Sequence, residues 1–156
     1  MNISIIAIGK IREKFIKDGV DEFIKRIRPY SPLKVIEIEP EDIRYACKEI
    51  KGLEVEAEKI LNQIPGNAYV IALDIQGKQL DSQDFASKIK EINASGLNQL
   101  VFIIGGSIGL NDKVKKRADY SLSFSKMTFP HQLARLLLLE QIYRAFKISN
   151  NEPYHK

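Results

Sequence analysis

LVFIIGGSIGLNDKVKKRADYSLSFSKMTFPHQ, residues 100–132, is the stretch whose reading decides the fold. Its first five residues, Leu100 to Ile104, are apolar and mostly branched, a run short enough for a strand buried on both faces. GGSIG, residues 105–109, follows, and its three glycines let backbone N–H groups approach a ligand without interference from Cβ. The pattern then predicts a short charged helix over Asn111–Ala118 and a second strand over Tyr120–Phe124. A polar loop, Ser125, Lys126, Met127 and Thr128, is stopped by Phe129 and Pro130, and a helix begins at about His131. Two loops, one rich in glycine and one in hydroxyls, thus leave what read as neighbouring strand ends, where open α/β sheets bind their ligands.

Outward from this stretch the chain keeps the same alternation. NISIIAI, residues 2–8, reads as a buried strand closed by Gly9. Phe15, Ile16, Val20, Phe23, Ile24 and Ile27 recur at helical spacing over Glu13–Arg28, with Pro29 ending the run. Leu33, Val35, Ile36 and Ile38 form a second strand. A longer helix is predicted from about Glu41 to Gln63, broken near Gly52 and stopped at Pro65, Gly66 and Asn67. AYVIALD, residues 68–74, is another buried strand, and Asp74 to Lys78 has turn composition. Asp81 or Ser82 can cap a helix over about Gln83–Ile92, which Gly96 ends. This order predicts one α/β domain over residues 1–156, with a mostly parallel sheet and helices on both faces.

The last predicted helix, roughly His131 to Lys147, carries Leu133, Leu136, Leu137, Leu138, Leu139, Ile142, Tyr143 and Phe146, more apolar surface than one core-facing stripe requires. Such a helix is covered on more than one side, either by its own chain or by a second subunit; the expectation here is a homodimer.

Charge is unevenly distributed. Residues 110–156 hold nine Lys/Arg against four Asp/Glu, whereas residues 1–109 are nearly balanced. Surplus positive charge beside the glycine loop points to a polyanion, with nucleic acid first in line. Arg135, Arg144, Lys113, Lys115, Lys116 and Arg117 are the candidate phosphate contacts. No apolar run approaches the roughly 20 residues that span a bilayer, so no membrane partner is expected. The apolar N-terminus lacks a basic leader, and Cys47 stands alone, which leaves no internal disulfide and no cysteine-cluster metal site. A cytoplasmic protein without a bound metal is expected.

GGSIG is not G-x-G-x-x-G, and no G-K-[ST] follows it, so neither a dinucleotide site nor a nucleotide-triphosphate loop is favoured. No serine sits in a nucleophile elbow. What remains is a backbone-lined pocket between the Gly105 loop and the Phe124–Phe129 loop, suited to a nucleoside-like ligand. A nucleotide-binding enzyme that uses the glycine loop for phosphate and a non-catalytic RNA-binding protein are the rival readings.

The runs IALDIQGK (71–78), IIGGSIGL (103–110), LSFSKMTFPHQLARLLLLEQIYRAFKI (122–148) and EPYHK (152–156) give the chain a resemblance to the ribosomal large-subunit methyltransferase H family, pseudouridine N3-specific enzymes of the SPOUT class. The resemblance implies a C-terminal trefoil knot, which general topology rules would argue against, and an obligate homodimer. It implies an S-adenosylmethionine pocket at Leu73, Gly105, Phe124, Ser125, Lys126, Met127, Thr128 and Phe129. It also implies methyl transfer to N3 of a pseudouridine in large-subunit (23S) ribosomal RNA, with the RNA expected to be met within an assembled ribosome, and it makes the non-catalytic rival a ribosome-associated RNA-binding protein. For that chemistry His155 is the candidate for proton handling or target contact, Tyr154 for stacking on a base, and Lys156 for positioning. On the family resemblance the tail serves a site formed with the partner subunit. His131 is the rival histidine, with a capping or packing role standing equally open at its helix start.

Overall fold

A computed structural model describes residues 1–41 and 46–155. Its strands are β1 (Asn2–Ile8), β2 (Leu33–Ile38), β3 (Tyr69–Gln79), β4 (Gln99–Ile104) and β5 (Tyr120–Ser123). Its helices are α1 (Lys14–Ile27), α2 (Ala46–Leu61), α3 (Ser82–Ala94), α4 (Asp112–Arg117) and α5 (His131–Ser149). The predicted helix start at Glu41 adjoins residues 42–45, outside those described; α2 runs unbroken through Gly52. Asp81, not Ser82, caps α3, its carboxylate accepting from the Asp84 N–H at 2.8 Å. Asn111 caps α4 in the same way through the Lys113 N–H.

The strands form one sheet in the order β2-β1-β4-β3-β5, every pair parallel. Parallel strands covered on both faces must be apolar on both, and successive residues of β1 and β4 show this directly. Ile3, Ile5, Ala7, Leu100, Phe102 and Ile104 face the core beneath α1, α3 and α5. Ile6, Ile8, Val101 and Ile103 face the second core, beneath α2 and α4. Helix α5 packs between α1 and α3, so much of its broad apolar surface is used within the chain; Leu138, Leu139, Ile142 and Ala145 are buried.

Three expectations are corrected. The loops at Gly105 and Ser125 do not leave neighbouring strands, because β3 lies between β4 and β5. The Asp74–Lys78 segment is not a turn; it is a bulge within the eleven-residue β3, where Leu122 of β5 pairs with both Leu73 and Lys78. Gly77 permits the bulge, since a Cβ there would stand 2.6 Å from the Ser121 backbone. Phe15, apolar at helical spacing, is 70% exposed, because neighbouring Ile16 takes the buried stripe of α1 with Val20 and Ile27.

Arg135 is a further correction. Placed among the phosphate contacts from sequence, it is 1% exposed: its Nη1 donates to Glu37 Oε1 at 2.6 Å and its Nη2 to the Gly9 carbonyl at 2.9 Å, with Nε unpartnered among the described residues. A buried guanidinium that ties α5 to the ends of β1 and β2 is structural. Arg135→Met is expected to lower the unfolding free energy by about 3 kcal/mol, the smaller end of the cost of breaking a buried pair, because half-buried Glu37 can rehydrate. Urea denaturation checks it.

Candidate active site

Leu73 of β3, Gly105 after β4, and Phe124, Ser125, Met127, Thr128 and Phe129 after β5 line one cavity of about 150 Å³. Three strand ends, not two, therefore converge there. The cavity shares Leu73, Thr128 and Phe129 with an adjoining cleft of about 660 Å³, so the two form one groove, and the groove exceeds the roughly 300 Å³ floor of ordinary ligand sites. Lys126 is exposed on the same loop and does not line the cavity.

Each wall has a local cause. Gly105 sits where a Cβ would meet the Gly109 carbonyl oxygen at 2.7 Å, and the Gly109 N–H donates back to the Gly106 carbonyl at 3.1 Å, a tight turn that only a bare backbone can fold. The loop after β5 is fixed by its own hydroxyls: Ser123 Oγ donates to the Ser125 carbonyl and the Met127 N–H donates to Ser125 Oγ, both at 3.0 Å. That turn leaves Met127 74% exposed at the rim. An apolar side chain of that size held in water beside a groove is ready to cover a bound ligand. The groove thus combines main chain and apolar walls with a set of polar side chains, among them Ser125, Thr128 and His131.

Sequence reasoning missed part of the lining. Asp74 stands in the groove wall, its Oδ2 2.9 Å from Lys115 Nζ and its Oδ1 accepting from the Gln76 N–H at 3.2 Å. The turn-like composition of residues 74–78 concealed it, and it commits Lys115, another of the expected phosphate contacts, to an ion pair. Arg117 is likewise held, by Asp119 and the Ala68 carbonyl, and Arg144 by Glu140. Lys113 and Lys116 are exposed. His131, the rival histidine, lines the groove from the first turn of α5. Burial, then the positive charges of Arg135 and Arg12, pull its pKa below the ordinary 6.5, so its ring is neutral at neutral pH.

The C-terminal tail lies elsewhere. Tyr154 packs edge-on against Tyr143 at 4.9 Å and beneath the Arg144 guanidinium at 4.7 Å, and its hydroxyl donates to Glu140 Oε1 at 3.1 Å. His155 Nδ1 is 3.3 Å from Arg144 Nη1. Tyr30 donates to Glu152 at 2.7 Å, and Lys147 pairs with the same carboxylate. The tail is therefore docked, not frayed. Glu140 is nine residues beyond His131 on α5, about 13 Å along the helix axis, and neither Tyr154 nor His155 lines the groove of its own chain. Lys156 lies outside the described residues.

Comparison with known proteins gives the class first: the family model described as "Predicted SPOUT methyltransferase" matches residues 1–155. Ribosomal RNA large subunit methyltransferase H of Carboxydothermus hydrogenoformans is 52% identical, and that of Clostridioides difficile strain 630 is 53% identical, each over 100% of both chains. The chain belongs to the SPOUT methyltransferases and, among them, to the ribosomal RNA large subunit methyltransferase H family. A solved structure, "a probable methylase family protein from Haemophilus influenzae Rd KW20", superposes with a TM-score of 0.54 over 99% of this chain and 70% of that one; at 15% identity the likeness is of fold alone. Among the described residues no helix is long and apolar enough to cross a membrane, and no group of His, Cys, Asp and Glu is arranged to hold a metal.

Proposed function

We propose that this protein transfers a methyl group from S-adenosylmethionine to N3 of a pseudouridine in 23S ribosomal RNA, as a cytoplasmic homodimer with a knotted C-terminal backbone. The observation that carries this reading is the single groove on which Leu73, Gly105 and Met127 meet. S-adenosylmethionine supplies a methyl group already activated by its sulfonium, so the chain's task is to hold and orient the reactants. The main chain of Gly105–Gly109 and the Ser123–Phe129 loop grip the donor, and apolar Leu73, Met127 and Phe129 exclude water around it. As the new N–C bond forms, the methyl–sulfur bond breaks and the N3 proton leaves. His155 of the tail is the proposed acceptor or organiser of that proton, working on the partner's groove, since the tail lies at the far end of α5 from its own.

Support for a dimer comes from apolar surface that the chain leaves open. Leu133 and Leu137, one turn apart on α5, stay only half-buried, and Phe15 and Met127 are exposed. Support for a knot comes from membership of the SPOUT methyltransferases.

Mass mapping of ribosomal RNA nucleosides tests the reading. Cells lacking the protein are expected to lose one methyl group from a pseudouridine of the large subunit and to regain it on complementation. An unchanged mass overturns the proposal.

A further inference from the structure

Beside the donor groove lies a second cleft, of about 570 Å³, between the carboxyl ends of β1 and β4. These strands are neighbours in the sheet, yet the chain leaves them in opposite directions: β1 continues into α1 on one face, β4 into α4 on the other. Where adjacent connections diverge in this way, a parallel sheet opens a crevice at its carboxyl edge, the general seat of ligands in such folds. Gly9, Lys10 and Arg12 line it from the β1–α1 loop, Gly106 and Ser107 from the loop after β4, and His131 from the start of α5. Gly106 and His131 also line the donor groove. The two spaces therefore adjoin along these residues.

The cleft is fixed in shape before anything binds. Gly9 turns the chain with φ +84°, and a Cβ there would stand 3.8 Å from His131 Nε2. The Arg135 guanidinium holds the Gly9 carbonyl, and the Arg12 N–H donates to Gln132 Oε1 at 2.9 Å. The β1–α1 loop is thus pinned to the start of α5, and only its side chains project. Those of Lys10 and Arg12 are exposed and make no ion pair among the described residues, unlike Lys115, Arg117, Arg135 and Arg144. Glu39 is the carboxylate of the lining. Two exposed cations without an ion pair among the described residues, over a pocket of nucleotide size, suit a phosphodiester.

We infer that this cleft seats the RNA nucleotide that receives the methyl group, with Lys10 and Arg12 on its phosphates and its base reaching the donor across the shared His131–Gly106 edge. The inference rests on the proposed RNA methyl transfer and deepens it. A methyl acceptor must come within about 3–3.5 Å of the reacting carbon, and this cleft, adjoining the donor groove, presents cations that make no ion pair among the described residues.

The test compares wild type with Lys10→Ala/Arg12→Ala on ribosomes purified from cells lacking the protein. Phosphate contacts serve ground state and transition state alike, so the double variant is expected to raise KM roughly ten-fold or more with kcat nearly unchanged. The slope of log affinity against log salt should fall by about two. S-adenosylmethionine affinity and solution mass should not change, and Lys10→Arg/Arg12→Lys should restore KM. An active wild type with an unaltered KM and salt slope in the double variant overturns the cleft assignment alone. Loss of dimer mass together with activity gives the cleft to a second copy of the chain and also overturns it. A wild type inactive on ribosomes overturns the methyl-transfer reading, and the cleft assignment with it.

Discussion

Deleting Tyr154, His155 and Lys156 is expected to reduce methyl transfer by roughly 10²–10⁴-fold, the range associated with losing a positioned proton-handling group, while S-adenosylmethionine affinity stays within about two-fold. Tyr154 and His155 do not line the groove of their own chain, so removing the tail leaves the donor walls of Leu73, Gly105 and Met127 in place. What it removes is the cluster on the far half of α5, where Tyr154 and His155 are held by Glu140, Tyr143 and Arg144. Single-turnover methyl transfer and calorimetry read the two quantities separately. Full transfer by the deletion variant would take the tail out of the chemistry. Mixing this variant with a donor-blind one distinguishes the routes further: transfer recovers in the mixture if the tail works across the dimer, and stays absent if it works within one chain.

The donor-blind variant is Gly105→Leu, for which S-adenosylmethionine binding should weaken by about 100-fold or more, close to 3 kcal/mol. A Cβ at this position meets the carbonyl oxygen of Gly109 at 2.7 Å and its carbonyl carbon at 2.8 Å. Both are backbone atoms of a closed turn, so the strain cannot be relieved by a rotamer change, and the rest of the leucine side chain occupies the cavity. Gly105→Ala should move affinity in the same direction by less. Gly66→Ala, where a Cβ meets nothing within 4 Å, is the control and should leave binding unaltered. Calorimetry decides it, and unimpaired binding by Gly105→Leu would remove the turn from the donor site.

Periodicity made the elements of this fold legible because the central strands β1 and β4 are buried on both faces and the longer helices α1 and α3 each bury one stripe. The runs NISIIAI and LVFII read as strands, and Asp81 and Asn111 stand as caps where the sequence permits them. Lateral order was not legible. Nothing local in Leu100–Ile104 or Tyr120–Ser123 records that β3 lies between them, since that depends on a crossover. Asp74 was hidden for a related reason: Asp, Gln and Gly are turn formers until a neighbouring strand pairs on both sides of them, as Leu122 does. Charge misled in its own way. Arg135 and Arg144 look alike in sequence to Lys10 and Arg12, yet the first pair is spent on Glu37 and Glu140 inside the molecule, and only three-dimensional placement reveals which cations remain to meet an anion. The groove residues Leu73, Gly105 and Met127 were accessible through resemblance, whereas His131 gained its place only when the start of α5 was seen to wall two spaces at once.

Helix α5 carries a consequence for how this protein responds to its own ligand. Its body fills the interior between α1 and α3, and its first turn lines the groove, so one helix joins the ligand site to the hydrophobic interior. Occupancy and folding are then a single linked equilibrium: a ligand held at a hundred times its Kd adds about 2.7 kcal/mol to the folded state. The methyl donor acts as a clamp on the molecule that uses it, and a starved enzyme is a looser one.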